Sequence, residues 1–160
     1  MEENQQEENY MDHSMKAAEL FMEGRNCAQA VLLAFNDVTG LDEHLAAKIS
    51  GGFGGGFGRL REVCGAVSGM VMVAGLLYGY DENGAEDAHK KDHYALIQEL
   101  IGKFREEVGN IVCRDILKNP PSDPNPSPRT AEYYAQRPCV RMVMTAARIL
   151  DAYIAEHPVA

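Results

Sequence analysis

Four cysteines are the residues of this sequence best suited to chemistry: Cys27, Cys64, Cys113 and Cys139. Neighbouring cysteines are at least 26 residues apart, so the chain has no C-x-x-C or C-x-x-C-H motif. This spacing gives no support to a zinc ribbon, a c-type haem attachment site or a thioredoxin-like motif. Four soft thiolates from distant segments suit a shared metal centre, or a pair that cycles between thiol and disulfide.

The residues around the cysteines place three of them in the first turn of a predicted helix. The signals are Asn26 as the N-cap before Cys27, Asn110 as the cap three residues before Cys113, and Pro138 directly before Cys139. We expect Cys64 near the start of an apolar helix. The N-terminus of a helix carries partial positive charge, which stabilises a thiolate and favours either a reactive thiol or an anionic cluster held by cysteines. We expect three further positive charges beside the thiols, from Arg25, Arg114 and Arg141.

The elements that carry these cysteines are predicted to be helices. The hydrophobic periodicity indicates an all-α single domain, a helical bundle of about six to seven helices. The predicted helices cover approximately residues 12–22, 26–39, 42–49, 62–78, 85–108, 111–118 and 138–156. Between the last two, residues 119–129 contain five prolines and form a polar connector within the domain. We expect residues 1–11 to be a disordered acidic tail and residues 12–160 to be the four-cysteine domain.

A glycine-rich loop is predicted before a buried central helix. Residues 51–58 contain six glycines, which regular structure would not favour unless the backbone needs a close approach or a positive φ. Val63 to Tyr80 follows with 18 uncharged residues, the lower limit for a membrane span, and its glycines and charged flanks favour a core helix instead. We predict that five glycines support the site by allowing close packing: Gly54, Gly55, Gly56, Gly65 and Gly69.

The ordered segments around the cysteines resemble the C_GCAxxG_C_C family. The matching segments are Asn26-Cys27-Ala28-Gln29-Ala30-Val31, the glycines 54–58 leading to Cys64-Gly65-Ala66-Val67-Ser68-Gly69, then Ile111-Val112-Cys113-Arg114, and Cys139-Val140. The resemblance extends from about Met15 to Tyr153 and implies a redox-active protein whose candidate functional residues are the four cysteines. The chain departs from the family name at one point, since it reads Cys64-Gly65-Ala66 where the name implies Gly-Cys-Ala.

Three hypotheses for function follow. In the first, the four cysteines converge to bind an iron–sulfur cluster for electron transfer or redox sensing, with zinc as a structural alternative for the same ligands. The second is a metal-free thiol–disulfide oxidoreductase that uses two of the cysteines as nucleophile and resolving thiol. The third is a structural helical module whose cysteines are inert in the core.

Charge and composition limit the partners. The chain carries 24 acidic and 15 basic residues, a formal net charge of -9, which repels nucleic acid and anionic membrane surfaces. The N-terminal run lacks the basic and apolar regions of an export signal, so we expect a cytoplasmic protein. We therefore expect a redox partner protein of unknown identity, no nucleic acid and no membrane, and we leave a homo-oligomer open.

Several weaker signals favour structure over chemistry. The glycine run fits no nucleotide-binding motif. His89 and His93 share a helix face, but Lys90, Lys91 and Asp92 between them indicate a solvated turn. The methionines Met70, Met72, Met142 and Met144 are typical of core. Tyr133 and Tyr134 are predicted either to cover a site as a lid or to fix the proline segment in place.

Overall fold

The computed structural model describes residues 13–84 and 86–159, and within them the chain forms nine α-helices and no strand. The helices are α1 (His13–Met22), α2 (Cys27–Ala34), α3 (Asn36–Thr39), α4 (Glu43–Ser50), α5 (Gly65–Tyr78), α6 (Asp87–Val108), α7 (Cys113–Ile116), α8 (Ala131–Gln136) and α9 (Cys139–Glu156). Short 3₁₀ turns span Gly51–Phe53 and Glu82–Gly84. The all-α prediction is confirmed. The predicted acidic tail, residues 1–11, lies outside the described residues.

The core lies where α9 packs against α1, α2 and α5, with α6 covering the outer side of α5 and α9. Helix α2 is buried along nearly all of its length because it runs through the middle of this arrangement. Its start is fixed by a capping box, in which the Asn26 side chain accepts the Gln29 N–H and the Gln29 side chain accepts the Asn26 N–H. Asn26 therefore acts as the N-cap that the sequence predicts.

Helix α5 is the buried central helix. Its inner face includes Gly65, Ala66, Val67, Gly69, Met70, Val73 and Ala74. Gly69 allows α2 to approach closely, because a Cβ at this position would come within 2.8 Å of the Ala28 carbonyl oxygen. Among the described residues, no helix has both the length and the apolar character that a membrane crossing requires.

The helix boundaries differ from prediction in three places. The helix predicted over residues 26–39 breaks at buried Phe35, whose N–H turns back to Leu32 O at 3.3 Å, and this gives separate α2 and α3. Helix α8 is an addition, capped by the Thr130 side chain. Helix α7 is shorter than predicted because Val112 is extended and pairs with Val63 in an isolated antiparallel bridge. Asn110 consequently accepts the N–H groups of Ile111 and Val112 and does not cap a helix.

The glycine-rich segment folds into a tight left-handed loop over residues 55–61. Three glycines and three larger residues there have positive φ: Gly55, Gly56, Phe57, Gly58, Arg59 and Arg61. The left-handed region costs a residue with a Cβ roughly 1–2 kcal/mol. The loop therefore stores strain at Phe57, Arg59 and Arg61 that contacts elsewhere must offset. The sequence predicts glycines here because the backbone needs either a positive φ or a close approach to another segment.

Candidate functional site

All four cysteines lie at the start of a helix. Cys27, Cys113 and Cys139 are the first residues of α2, α7 and α9, and Cys64 is the residue that directly precedes α5. The cysteines thus come from four separate helices, as the local sequence signals suggest. At α2, α5 and α9, which are long enough to carry a useful dipole, the thiols occupy the positive end of the helix.

One small cavity of about 60 Å³ brings the four cysteines together. Every cysteine of the chain lines this cavity, which we call the thiol cavity, and no Asp or Glu of the described residues lines it. Cys64, Cys113 and Cys139 are buried, whereas Cys27 is partly exposed. The volume is sufficient for a few water molecules. The thiols therefore meet in a site with little solvent, reached most directly at Cys27.

Cys27 and Cys139 affect each other's protonation. Their interaction raises the pKa of Cys27 well above its ordinary value and lowers the pKa of Cys139. The guanidinium groups of Arg137, Arg129 and Arg61 favour the Cys139 thiolate further.

Cys64 and Cys113 are held together by backbone. Around the Val63–Val112 bridge, the Cys64 N–H donates to Ile111 O at 2.8 Å and the Cys113 N–H donates to Glu62 O at 2.6 Å. Side chains alternate between the two faces of an extended segment, so both cysteines lie on the face opposite the two valines. This short bridge positions two thiols that are 49 residues apart in sequence.

Burial keeps these two thiols protonated in the free protein. It raises the pKa of Cys64 to about 12, although the backbone N–H groups of Ala66 and Val67 favour its thiolate. Burial also raises the pKa of Cys113, against the effect of the adjacent Arg61 guanidinium. A buried negative charge is unfavourable unless a cation or a metal compensates for it.

The positive charge near the thiols comes from arginines that the sequence analysis did not identify. Arg61, Arg129 and Arg137 line the thiol cavity. The prediction that Arg25, Arg114 and Arg141 would supply this charge is wrong, because these side chains are directed to Glu23, Glu62 and the Glu107 carbonyl, respectively. Proximity in sequence is not a sufficient guide, because Arg137, two residues before Cys139, lines the cavity, whereas Arg141, two residues after it, does not.

The predicted supporting glycines lie against the cysteine-bearing segments. A Cβ at Gly65 would come within 3.1 Å of the Cys27 Cβ, and a Cβ at Gly56 within 2.9 Å of the Cys113 Cβ. Gly54 lies against the Asn26 cap in the same way. Gly55 has a φ of +65° and lines the thiol cavity, and Gly69 lies one turn further along α5 against α2. All five glycines therefore allow close packing around the cavity or the helix next to it.

The segment that carries the two tyrosines covers the thiol cavity and is also fixed in place. Tyr133 lines the cavity, while the Tyr134 hydroxyl donates to Met22 O at 3.2 Å. The Arg129 guanidinium carbon lies 4.5 Å from the centre of the Phe21 ring and 5.0 Å from that of Tyr133. Both predicted roles, a cover and a fixing contact, are present.

The weaker sequence signals remain apart from the cysteines. His89 is exposed, and His93 packs edge-on against Tyr80. Met70 and Met142 are buried in the core, and Met142 also lines the thiol cavity.

Across residues 13–84 and 86–159, no three His, Cys, Asp or Glu side chains form a group that could hold a metal ion. The sulfurs as placed are therefore not gathered around one point.

His13 is a buried charge centre that the sequence did not reveal. Its Nδ1 lies 2.6 Å from Asp151 and its Nε2 lies 2.9 Å from Asp37, with the ring stacked on Phe35. Burial lowers the pKa of His13, but the two carboxylates outweigh that effect, and the net pKa is raised. Isolated in sequence, this histidine gives no signal of its role because its partners are 24 and 138 residues away.

Comparison with known proteins identifies one family. The model of a family described as "Putative redox-active protein (C_GCAxxG_C_C)" matches residues 25–153, a range that contains all four cysteines. Neither a curated protein nor a solved structure matches the chain.

Proposed function

The chain belongs to the C_GCAxxG_C_C family of redox-active proteins, and from this we propose that its four cysteines form one redox centre by binding an iron–sulfur cluster. The observation that carries the proposal is the convergence of four thiols from four helices on one cavity. Nothing in the folding of a helical bundle requires all of its cysteines to meet. We propose electron transfer or redox sensing as the role of the centre.

The donor set fits such a cluster. Four soft sulfur ligands are the usual ligands of iron–sulfur clusters, which supply reversible one-electron chemistry when bound. Four thiolates in a buried site need compensating positive charge, and Arg61, Arg129 and Arg137 supply it. A cluster with several irons also takes ligands that are spread further apart than the ligands of one ion.

The arrangement of the thiols in two pairs supports the same proposal. Cys27 and Cys139 are paired by the interaction that shifts their pKa values in opposite directions, and Cys64 and Cys113 by the backbone bridge. Each pair would serve as one half of the ligand set. Metal binding would deprotonate the thiols, including Cys64, whose burial otherwise opposes the loss of its proton.

The Cys27–Cys139 pair favours a second candidate, a metal-free dithiol couple. The lowered pKa of Cys139 suits the attacking thiolate, and Cys27, which lines the same cavity, suits the resolving thiol. In this reaction Cys139 would attack a substrate disulfide and release one substrate thiolate. Cys27 would then displace the second, so that the protein disulfide forms while the substrate is reduced by two electrons to two thiols.

The test is the iron, acid-labile sulfide and zinc content of protein purified without oxygen, together with its visible absorption spectrum. The test set is wild type, the four single Cys→Ser variants and the quadruple variant. The matched control is Met142→Leu, which changes the thiol cavity without removing a thiol and nearly preserves volume. We expect iron and sulfide in wild type and in the control, and their loss in each cysteine variant.

A different pattern of loss would support the second candidate. If the wild type contains no iron and mild oxidant joins Cys27 to Cys139, as shown by mass spectrometry of peptides, the dithiol couple replaces the cluster. If all four thiols also react slowly and form no disulfide, the cysteines are inert core residues and both proposals fail.

A further inference from the structure

A second cleft, next to the thiol cavity, is lined by four arginines: Arg59, Arg61, Arg129 and Arg137. We call it the arginine cleft. Its volume is about 310 Å³, at the lower end of the range for small-molecule sites. One wall is the left-handed glycine loop, and the other is the proline segment at Pro124, Pro126 and Ser127. No Asp or Glu of the described residues lines it, in a chain whose net charge is -9. The cleft therefore concentrates positive charge in an acidic protein.

Arg61 has a buried, unpaired donor beside this cleft. Its side chain is 3% exposed, its Nε donates to Pro121 O at 3.0 Å, and its Nη1 lies 3.7 Å from the Cys113 sulfur. Its Nη2 is buried and has no hydrogen-bond partner among the described residues. Burying an unpaired donor of a charged group is costly, so this atom requires an acceptor that the rest of the described chain does not provide.

Arg129 and Arg137 also lack a carboxylate partner within the described ranges. Arg129 donates to the carbonyl oxygens of Phe21 and Arg25, and Arg137 lies over the Tyr133 ring at 5.1 Å. These contacts fix the two side chains in position without pairing either guanidinium with a carboxylate. Arg59 differs, because it bonds to Ser127 and lies 3.9 Å from the Asp123 carboxylate.

We propose that the arginine cleft binds a small molecule through a carboxylate or phosphate group held by Arg61, Arg129 and Arg137. Guanidinium groups present flat, paired donors that match the oxygens of both anions. The same three arginines line the thiol cavity, so the ligand lies directly beside the four cysteines. The inference goes beyond the proposed function because it assigns a ligand class to a cleft that the cysteines alone do not define.

The alternative use of these arginines is to compensate thiolate charge and nothing else. Two features favour a ligand as well. The cleft continues away from the cysteines to Pro124, Pro126 and Ser127, where no thiol lies, and Arg59 lines it without lining the thiol cavity. If the arginines served only to compensate the charge of the thiolates, neither a cleft of this volume nor a fourth arginine would be needed.

The test is calorimetric binding of inorganic phosphate and, separately, of succinate to the full chain purified without oxygen, at constant ionic strength. The variant is Arg137→Gln, and the matched control is Arg25→Gln, whose side chain pairs with Glu23 and lines neither cavity. We expect saturable binding of at least one probe. In Arg137→Gln, the loss of a charge-assisted hydrogen bond should lower the affinity for the probe about tenfold or more. In the control, the affinity should change by no more than about twofold. The better probe shows whether the site prefers phosphate or carboxylate.

Arg137→Lys, which keeps the charge but loses the paired donors of the guanidinium, provides a second variant for the case in which Arg137→Gln does not fold, as judged by circular dichroism. The proposal is overturned if neither probe saturates, or if the control loses as much affinity as the cleft variants. Iron and sulfide are measured on the same samples, so the two proposals can fail separately. Anion binding without iron would retain the cleft and reject the cluster, and iron without anion binding would do the reverse.

Discussion

The guanidinium of Arg61 lies against the thiol of Cys113, with Nη1 3.7 Å from the sulfur. Arg61 reaches this position from a residue with a φ of +64°, and Cys113 reaches it from the first residue of α7. The left-handed loop and the helix start thus bring the two side chains together. Among the hydrogen bonds of the described residues, this is the one that joins a cation directly to a thiol.

Replacing Arg61 should raise the pKa of Cys113 further. Burial already raises this pKa, and the guanidinium is the main group that opposes it. In Arg61→Gln we expect alkylation of Cys113 in metal-free protein to slow several-fold at neutral pH, with its pH profile displaced upwards. Mass spectrometry of alkylated peptides measures the rate of Cys113 alkylation. Arg114→Gln, at an exposed arginine, is the control. An unchanged profile would show that the contact has no electrostatic effect on the thiol.

Removal of the Cys27 thiol should raise the pKa of Cys139. The interaction with Cys27 is the largest cause of the lowered pKa, so its loss leaves burial less opposed. We expect the Cys139 alkylation profile in Cys27→Ala to move to higher pH and its rate at neutral pH to fall several-fold. Cys64→Ala removes a different thiol of the cavity and should change the pH profile of Cys139 alkylation less. Equal effects in the two variants would contradict a specific pair.

Two glycines of α5 should respond to alanine in opposite directions. A Cβ at Gly69 would lie 2.8 Å from the Ala28 carbonyl oxygen and 2.9 Å from the Val31 Cβ, whereas Gly75 has open space. We expect Gly69→Ala to lower the free energy of unfolding by about 1–3 kcal/mol. Gly75→Ala should raise it by roughly 0.5–1 kcal/mol, because alanine favours the helix. Urea unfolding measures both, and a stabilised Gly69→Ala would show that α2 and α5 do not pack this closely.

The stability contributed by His13 should depend on pH. Because its folded pKa is raised above 6.5, the contribution is complete below that pH and is lost as the pH rises through the folded value. We expect His13→Gln to lower the free energy of unfolding by about 2–3 kcal/mol at about pH 5.5 and by less at about pH 8.5. The exposed His89→Gln is the control in urea unfolding at both pH values. A cost that grows with pH would refute the ion-pair assignment.

The fold was predictable where one residue type carries a local signal. Asn26 predicts the start of α2 from its capping chemistry, and the uncharged stretch after Val63 predicts the buried helix. The cysteines do lie at helix starts as predicted, but a side-chain cap next to the cysteine is present only at Cys27.

What could not be predicted depends on contacts between distant segments. Val112 is extended because it pairs with Val63, so neighbouring residues alone predict a helix there. Arg61 reaches Cys113 through a left-handed backbone that no side-chain pattern encodes, and Arg129 and Arg137 reach the cavity from the segment that covers it. The sequence alone therefore predicts the thiols of the site but not the cations that surround them.

Helix α9 supplies both Cys139 and the face on which α1, α2 and α5 pack. It is also the last helix to be synthesised among those described. A nascent chain that lacks it has three of the four thiols and no closed core, so these thiols would be open to premature oxidation. A cofactor that needs all four cysteines can form only after translation has passed Cys139. Under the proposed function, assembly of the centre would therefore be separated in time from the synthesis of Cys27, and Cys27, Cys64 and Cys113 would have to stay reduced during the interval.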